Sequence, residues 1–198
     1  MKATTSRVLL VAVAAGGLGL LASLWFNGNP FWRTQVGERA LHAATNATAP
    51  APPAGVTPAG IGDAMPAIAL PGLDGAIVDL RARYAGKRLL INVWASWCGP
   101  CIEEMPELDR FAASQGAEGV QVIGLALDTP EGVRDFTANI PVRYPIVLDT
   151  PGPADASVWL GNTRGLLPYS VLVDAQGKVV KQKLGPFEHG EIEGWARP

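Results

Sequence analysis

The segment Trp97-Cys98-Gly99-Pro100-Cys101 constrains this chain more than any other. It is preceded by Arg88-Leu89-Leu90-Ile91-Asn92-Val93-Trp94-Ala95, an almost unbroken apolar stretch of the kind that forms a strand buried on both faces. After it, Ile102, Met105, Leu108, Phe111 and Ala112 recur at helical spacing. Two cysteines with two residues between them therefore stand where a central strand hands over to a helix. They are close enough in sequence to close a small disulfide. A helix start carries unpaired amides and about half a positive charge, and both stabilise a thiolate at Cys98. Thiols in such Cys-x-x-Cys settings have their pKa lowered from about 8.5 to roughly 3.5–7.5. The thiolate is the nucleophile of disulfide exchange. Cys101, one turn further in, is placed to attack the mixed disulfide and release the product. Pro100 suits a first helical turn.

Other chemistries fit these residues less well. A purely structural bond would restrict the unfolded chain little, because the loop it closes is so short. With 2 Cys and 2 His the chain lacks the means for a four-cysteine zinc site, a multi-disulfide scaffold or a His-rich metal site. A metal held by the thiols would need two more ligands. His189 and the acids are available, but no spacing supports them, and His42 reads as a solvated residue. Lys and Arg number 16 against 18 Asp and Glu, a net charge of -2, so no nucleic-acid partner is expected. Charged residues make up 17% and hydrophobic ones 48%, which suits a buried core and not a charged disordered chain.

The N-terminus reads differently. Residues 8–26 carry no charge, and at 1.5 Å per residue they nearly cross a ~30 Å hydrocarbon layer. Lys2 and Arg7 precede the run, which places the N-terminus in the cytoplasm and exports the rest of the chain. Trp25, Phe26, Phe31 and Trp32 suit the membrane interface at its outer end. A cleaved signal peptide is the competing reading, although the run exceeds a usual signal core of roughly 7–15 residues. We therefore expect a membrane anchor or signal sequence over 1–26. A flexible Ala/Pro-rich linker over 27–62 and a folded domain over 63–198 should come after it.

Within the domain, Ala67-Ile68-Ala69-Leu70 and Ala76-Ile77-Val78-Asp79-Leu80, separated by a Gly-rich turn, predict a β-hairpin. Strands are expected at 88–95, 120–127, 144–148, 169–174 and 178–184. Helices are expected at 98–114, interrupted and bent by Pro106, at 130–139 with Thr129 as N-cap, at 154–160 and at 188–196. This order predicts an α/β domain with a mixed sheet covered by helices on both faces.

The segment from Val93 to Cys101 resembles the active-site segment of thioredoxins. More closely, 63–198 resembles the TlpA/ResA/CcmG (DsbE) group of membrane-anchored, extracytoplasmic thioredoxin-like proteins. The matching features are the hairpin, Glu103-Glu104-Met105-Pro106-Glu107-Leu108, the strand end Ala126-Leu127-Asp128, the extra helix–strand unit over 130–148, and Leu167-Pro168-Tyr169-Ser170-Val171-Leu172-Val173-Asp174. The resemblance implies that Cys98 and Cys101 are catalytic, with Glu104 beside them to tune or relay a proton. It implies that Pro168 forms a cis bond opposite the cysteines, so that the backbone of Leu167 pairs with substrate, and that Trp97 covers the site. No cofactor beyond the Cys98–Cys101 disulfide is implied. Three departures stand out. Asn92 occupies the place of a buried Asp in simple thioredoxins, Gly99 replaces an acid found in some members, and the stretch from Gly165 to Pro168 is one residue longer than the common Gly-x-Pro form.

The function implied is that of a single-pass bacterial inner-membrane thiol–disulfide oxidoreductase facing the periplasm. It would reduce cysteine-containing exported clients, as in cytochrome c maturation or metalloprotein assembly. A membrane electron donor of the DsbD/CcdA type would recharge it. A general disulfide oxidant or isomerase and a thiol-based copper or haem chaperone are the alternatives. A peroxidase on this fold expects Thr-x-x-Cys, and Ala95 stands where the Thr should be.

Overall fold

The computed structural model describes residues 51–197, with Val36, Gly37, Ala40, Ala44 and Ala49 before them. The run over 8–26, expected to be a membrane anchor, lies outside these residues. Among the described residues no helix is long and apolar enough to cross a membrane. The sheet and its helices all lie within the unit His42–Pro198.

In chain order the elements are β1 (Ala69–Pro71), β2 (Ile77–Asp79), α1 (Leu80–Arg83), β3 (Leu89–Trp94), α2 (Gly99–Gln115), β4 (Gln121–Leu127), α3 (Pro130–Asn139), β5 (Ile146–Asp149), α4 (Ala156–Trp159), β6 (Tyr169–Val173), β7 (Val179–Leu184) and α5 (Glu191–Trp195). Strands β5-β4-β3-β6-β7 form one sheet in that order, with β1-β2 as a separate hairpin. The three strands β3, β4 and β5 run parallel, while β6 and β7 are antiparallel. Parallel neighbours need crossovers, which α2 and α3 supply.

All six positions of β3 are buried, and its side chains alternate between two cores. Leu90 and Trp94, with Asn92 between them, face α2, Val133 and Phe136 of α3, and Ile192 and Trp195 of α5. Leu89, Ile91 and Val93 face the other way, toward Ile68, Leu80, Ala156 and Leu160. In β4, Val122 and Ala126 join the first core, and Ile123, Leu125 and Leu127 the second. Fully burying an aliphatic side chain contributes roughly 1.5–3 kcal/mol, so this doubly covered strand pair anchors the domain.

Local signals account for the helix ends. Thr129 caps α3 by accepting a 3.1 Å hydrogen bond from the Gly132 N–H, with Pro130 in the first turn. Asp155 caps α4 by accepting from the N–H groups of Ser157 and Val158. Pro106 does not interrupt its helix: α2 runs unbroken through it for 17 residues. The proline lies on the exposed side, and Met105, Leu108 and Phe111 bury the opposite face on both sides of it. The short helix α1 was not expected; Asp79 starts it by accepting from the Ala82 N–H. Of the expected linker over 27–62, nearly all of 27–50 lies outside the described residues, and the last part of it docks onto the domain. Ala59 is buried and donates its N–H to Trp159, and Gly62 donates to Val179.

Gly161 ties this docking together. It has φ +103°, and a Cβ there would lie 2.5 Å from Gln182 Nε2 and 2.7 Å from the Ala59 carbonyl. Gln182 Nε2 donates to the carbonyls of both Ala59 and Leu160 at 2.8 Å. Gly161→Ala should lower unfolding stability by roughly 2–4 kcal/mol, read by urea denaturation, through backbone strain added to the clash.

Candidate active site

Cys98 and Cys101 are joined as a disulfide, with their Cα atoms 5.3 Å apart. Cys98 is the N-cap residue of α2, in extended conformation, and no side chain caps the helix in its place. Its N–H donates to Ala95 and its carbonyl accepts from Ile102, so the turn from β3 into α2 is closed by backbone bonds. The two cysteines are not equivalent. Cys98 is 6% exposed and lies beside exposed Gly99 and Pro100, whereas Cys101 is 0% exposed inside the core.

Asp128 holds the segment that leads into the pair. Its Oδ2 accepts from the Ser96 N–H at 3.0 Å and from the Ser96 hydroxyl at 2.6 Å. Burial works against the Asp128 charge, but those two donors and the Thr129 N–H outweigh it and keep the carboxyl below its ordinary value. Trp97, one residue on, is 68% exposed. Among the described residues it is one of few large apolar side chains so open to solvent.

The Leu167–Pro168 peptide bond is cis. β6 starts at Tyr169, which pairs antiparallel with Val93 near the end of β3. The cis bond therefore sits at the sheet end where β3 runs into the cysteine turn. Leu167 packs against the cluster that contains Cys98, Cys101 and Trp94. Its N–H and C=O make no hydrogen bond to the described residues. The extra residue between Gly165 and Pro168 has a structural support. Buried Asn162 grips the backbone of Leu166, accepting from its N–H at 3.1 Å and donating to its carbonyl at 3.0 Å. This leaves the Leu166 side chain 43% exposed beside the cis bond.

Glu104 lies one turn after Cys101 on α2 and is only 2% exposed. Its Oε1 accepts from Asn92 Nδ2 at 2.8 Å, and its Oε2 from the Phe187 N–H at 2.7 Å. Burial pushes its pKa up to about 7; the Phe187 N–H, the Asn92 amide and the Lys183 charge pull it down in part, and Glu191 adds to the rise. Asn92 Nδ2 also donates to the Ser170 hydroxyl at 3.1 Å. Asn92 Oδ1 is buried without a partner in the protein.

Sequence reasoning reached Asn92 only as a departure from a family pattern, and missed Ser170, Asp128 and the Phe187 N–H. The signal at Asn92 was available: a lone amide in an otherwise apolar buried strand needs polar partners inside the core. His189 does not approach the cysteines as a ligand. Its Nδ1 lies 3.0 Å from Oε2 of buried Glu107, which also accepts from the Gly190 N–H and pairs with Arg110. Among the described residues, no three His, Cys, Asp or Glu side chains cluster as a metal would require.

A buried acid with a raised pKa makes stability depend on pH. The folded state holds the Glu104 proton more tightly than the unfolded chain does. The contribution is thus fully present below the ordinary value of 4.5 and is lost as pH rises through about 7. Between pH 4.5 and 7.5 the oxidised protein should lose about 2–4 kcal/mol from this group, at 1.36 kcal/mol per pKa unit. Glu104→Gln should flatten that part of a stability–pH curve measured by urea unfolding.

The chain matches the Redoxin family over residues 61–195. The thiol-disulfide oxidoreductase ResA of Bacillus thuringiensis is 30% identical over 138 residues, which cover 69% of this chain and 77% of that relative. The sporulation thiol-disulfide oxidoreductase A of Bacillus subtilis is 27% identical over 121 residues, covering 59% of this chain and 71% of the other. A solved structure from Chlorobium tepidum, described as a putative thiol:disulfide interchange protein DsbE, aligns with a TM-score of 0.59 at 32% identity, covering 65% of this chain and 88% of that one. The chain therefore belongs to the Redoxin family, in its thioredoxin-like ResA/CcmG group of thiol–disulfide oxidoreductases.

Proposed function

We propose that this oxidoreductase is a membrane-anchored reductant that acts outside the cytoplasm on disulfides of exported proteins. The observation that carries the reading is the unequal pair: Cys98 at the helix N-terminus next to solvent, Cys101 enclosed beside buried Glu104. In the reduced protein the Cys98 thiolate attacks one sulfur of a client disulfide, and the other client sulfur leaves as a thiolate. Glu104 takes the proton of Cys101. The Cys101 thiolate then attacks Cys98 Sγ, releasing the second client thiol and closing the Cys98–Cys101 disulfide. Two electrons pass to the client. A membrane electron donor of the DsbD/CcdA type returns them, since an exported domain is out of reach of cytosolic reductants.

Trp97, Leu167 and cis-Pro168 form the docking edge for the client. Leu167 offers its N–H and C=O to an extended client segment, and Trp97 covers the residues flanking the client cysteine. Clients are cysteine-bearing exported proteins, including those that later receive haem or a metal. Export rests on the uncharged run over 8–26 behind Lys2 and Arg7.

Cys101→Ser should accumulate a mixed disulfide through Cys98 when mixed with a disulfide-bridged two-cysteine peptide, and Cys98→Ser should accumulate none. The reverse pattern would exchange the two roles. Glu104→Gln should slow client release at pH 7 by roughly 10²-fold, the scale of a lost general base, in stopped-flow measurements. An unchanged rate would remove Glu104 from the mechanism. The full chain expressed in a bacterium should sediment with membranes, and its domain should be digested by protease added outside spheroplasts. Digestion only after lysis would overturn the location.

A further inference from the structure

Both oxygens of Glu104 face donors, Asn92 Nδ2 at 2.8 Å and the Phe187 N–H at 2.7 Å. That arrangement serves a carboxylate. A protonated Glu104 carries an O–H that needs an acceptor, and neither neighbour offers one in this state. The Phe187 N–H is backbone and remains a donor whatever Glu104 does. Asn92, however, carries an acceptor on the same side chain: Oδ1 is buried and has no protein partner. The terminal torsion of Asn is broad and roughly two-fold, so a half-turn exchanges Nδ2 for Oδ1 at little cost in rotamer energy.

We propose that Asn92 is the positioning residue for Glu104, presenting its amide N–H to the carboxylate and, after a half-turn of the carboxamide, its amide oxygen to the carboxylic acid. The inference rests on the reading of Glu104 as the proton acceptor for Cys101. Ser170 completes the device. Its hydroxyl now accepts from Asn92 Nδ2 at 3.1 Å, and a hydroxyl is also a donor, so it follows the turn by donating to Oδ1. Asn92 and Ser170 are paired residues on neighbouring strands β3 and β6, and Ser170 lies two residues after cis-Pro168. The protonation of Glu104 is thereby read by the strand that carries the docking edge. An aspartate at position 92 would set a second negative charge against the carboxylate, and an aliphatic residue would serve neither state.

The remaining groups around Glu104 act on it by charge alone. Lys183 of β7 and Glu191 of α5 are ion-paired at 2.8 Å, and both influence the Glu104 titration. Burial raises the pKa of Tyr144, before β5, and the Glu104 and Asp109 charges add to the rise, yet its buried hydroxyl makes no protein hydrogen bond. Asp109 and Glu107 share the helix with Glu104 but are engaged with Arg143 and with Arg110, His189 and Gly190.

The test is a titration of the full chain in detergent, with 13C-carboxyl Glu and 15N-amide Asn labels, in the oxidised state. The Asn92 side-chain NH2 signals should move with the same midpoint as the Glu104 carboxyl, losing their hydrogen-bonded shift in acid. Signals that stay fixed through the Glu104 titration would overturn the proposal. Asn92→Leu gives a second readout. Loss of a partner to both states should lower the urea midpoint by similar amounts at pH 5 and pH 9 and move the Glu104 midpoint by less than one pH unit. A cost confined to pH 9, with the midpoint raised by more than one unit, would mean a fixed donor and no turn. Failure of the underlying reading is separate: Glu104→Gln would then leave the thiol titration of the reduced protein unchanged, whatever Asn92 does.

Discussion

The site depends on one junction, where β3, covered on both faces, passes into α2. A strand buried at all six positions cannot shift its register without moving side chains between two different cores. The residue at the end of its short connecting turn is therefore delivered to a fixed place. That residue is Cys98, at the N-cap of a 17-residue helix. The helix end brings partial positive charge to the sulfur, and the apolar face of the same helix carries Cys101 into the core. Asp128, at the end of the neighbouring strand, secures the turn through Ser96. Reactivity and rigidity thus come from the same arrangement.

The second constraint is the enclosure of Glu104. Removing a carboxylate from water is costly, and the two donors that meet it offset only part of that cost, which is why its pKa stands near 7. A group poised there exchanges a proton with a thiol at neutral pH far more readily than an exposed glutamate would. The Phe187 N–H contact also ties the segment after β7 to α2, and Glu107 repeats the tie three residues later through the Gly190 N–H. Glu104 is thus a structural staple as well as a titratable group, so its protonation state and the packing of the C-terminal segment are linked.

Much of this was legible in the sequence, because the informative patterns are local. The apolar run before Cys98, the helical spacing after it and the Thr129–Pro130 helix start each depend on neighbours a few residues apart, and the corresponding β3, α2 and α3 appear where expected. Pro106 misled because its cost depends on which face it occupies, and that face is solvent. The early docking of Ala59 was invisible because it depends on Gln182, 123 residues away. Likewise, nothing near Glu104 in the sequence identifies Asn92 or the Phe187 N–H as its partners. Burial is a tertiary property, and a glutamate on a helix reads as solvated until the elements packed over it are known. Asn92 was the one such residue with a readable clue, a carboxamide in a strand otherwise built of apolar and aromatic side chains.

The central claim is that Cys98 and Cys101 form a reducing couple, and the reduction potential of the pair tests it most directly. Equilibrated at pH 7 against glutathione or dithiothreitol, with thiol state read by alkylation, the couple should lie near roughly -270 mV, the region of thioredoxin. Electrons would then flow from it to strained or catalytic disulfides of exported proteins. A value near roughly -120 mV would make the protein an oxidant and reverse the direction of the proposed reaction. Absence of any reversible couple would contradict the redox reading of the site altogether.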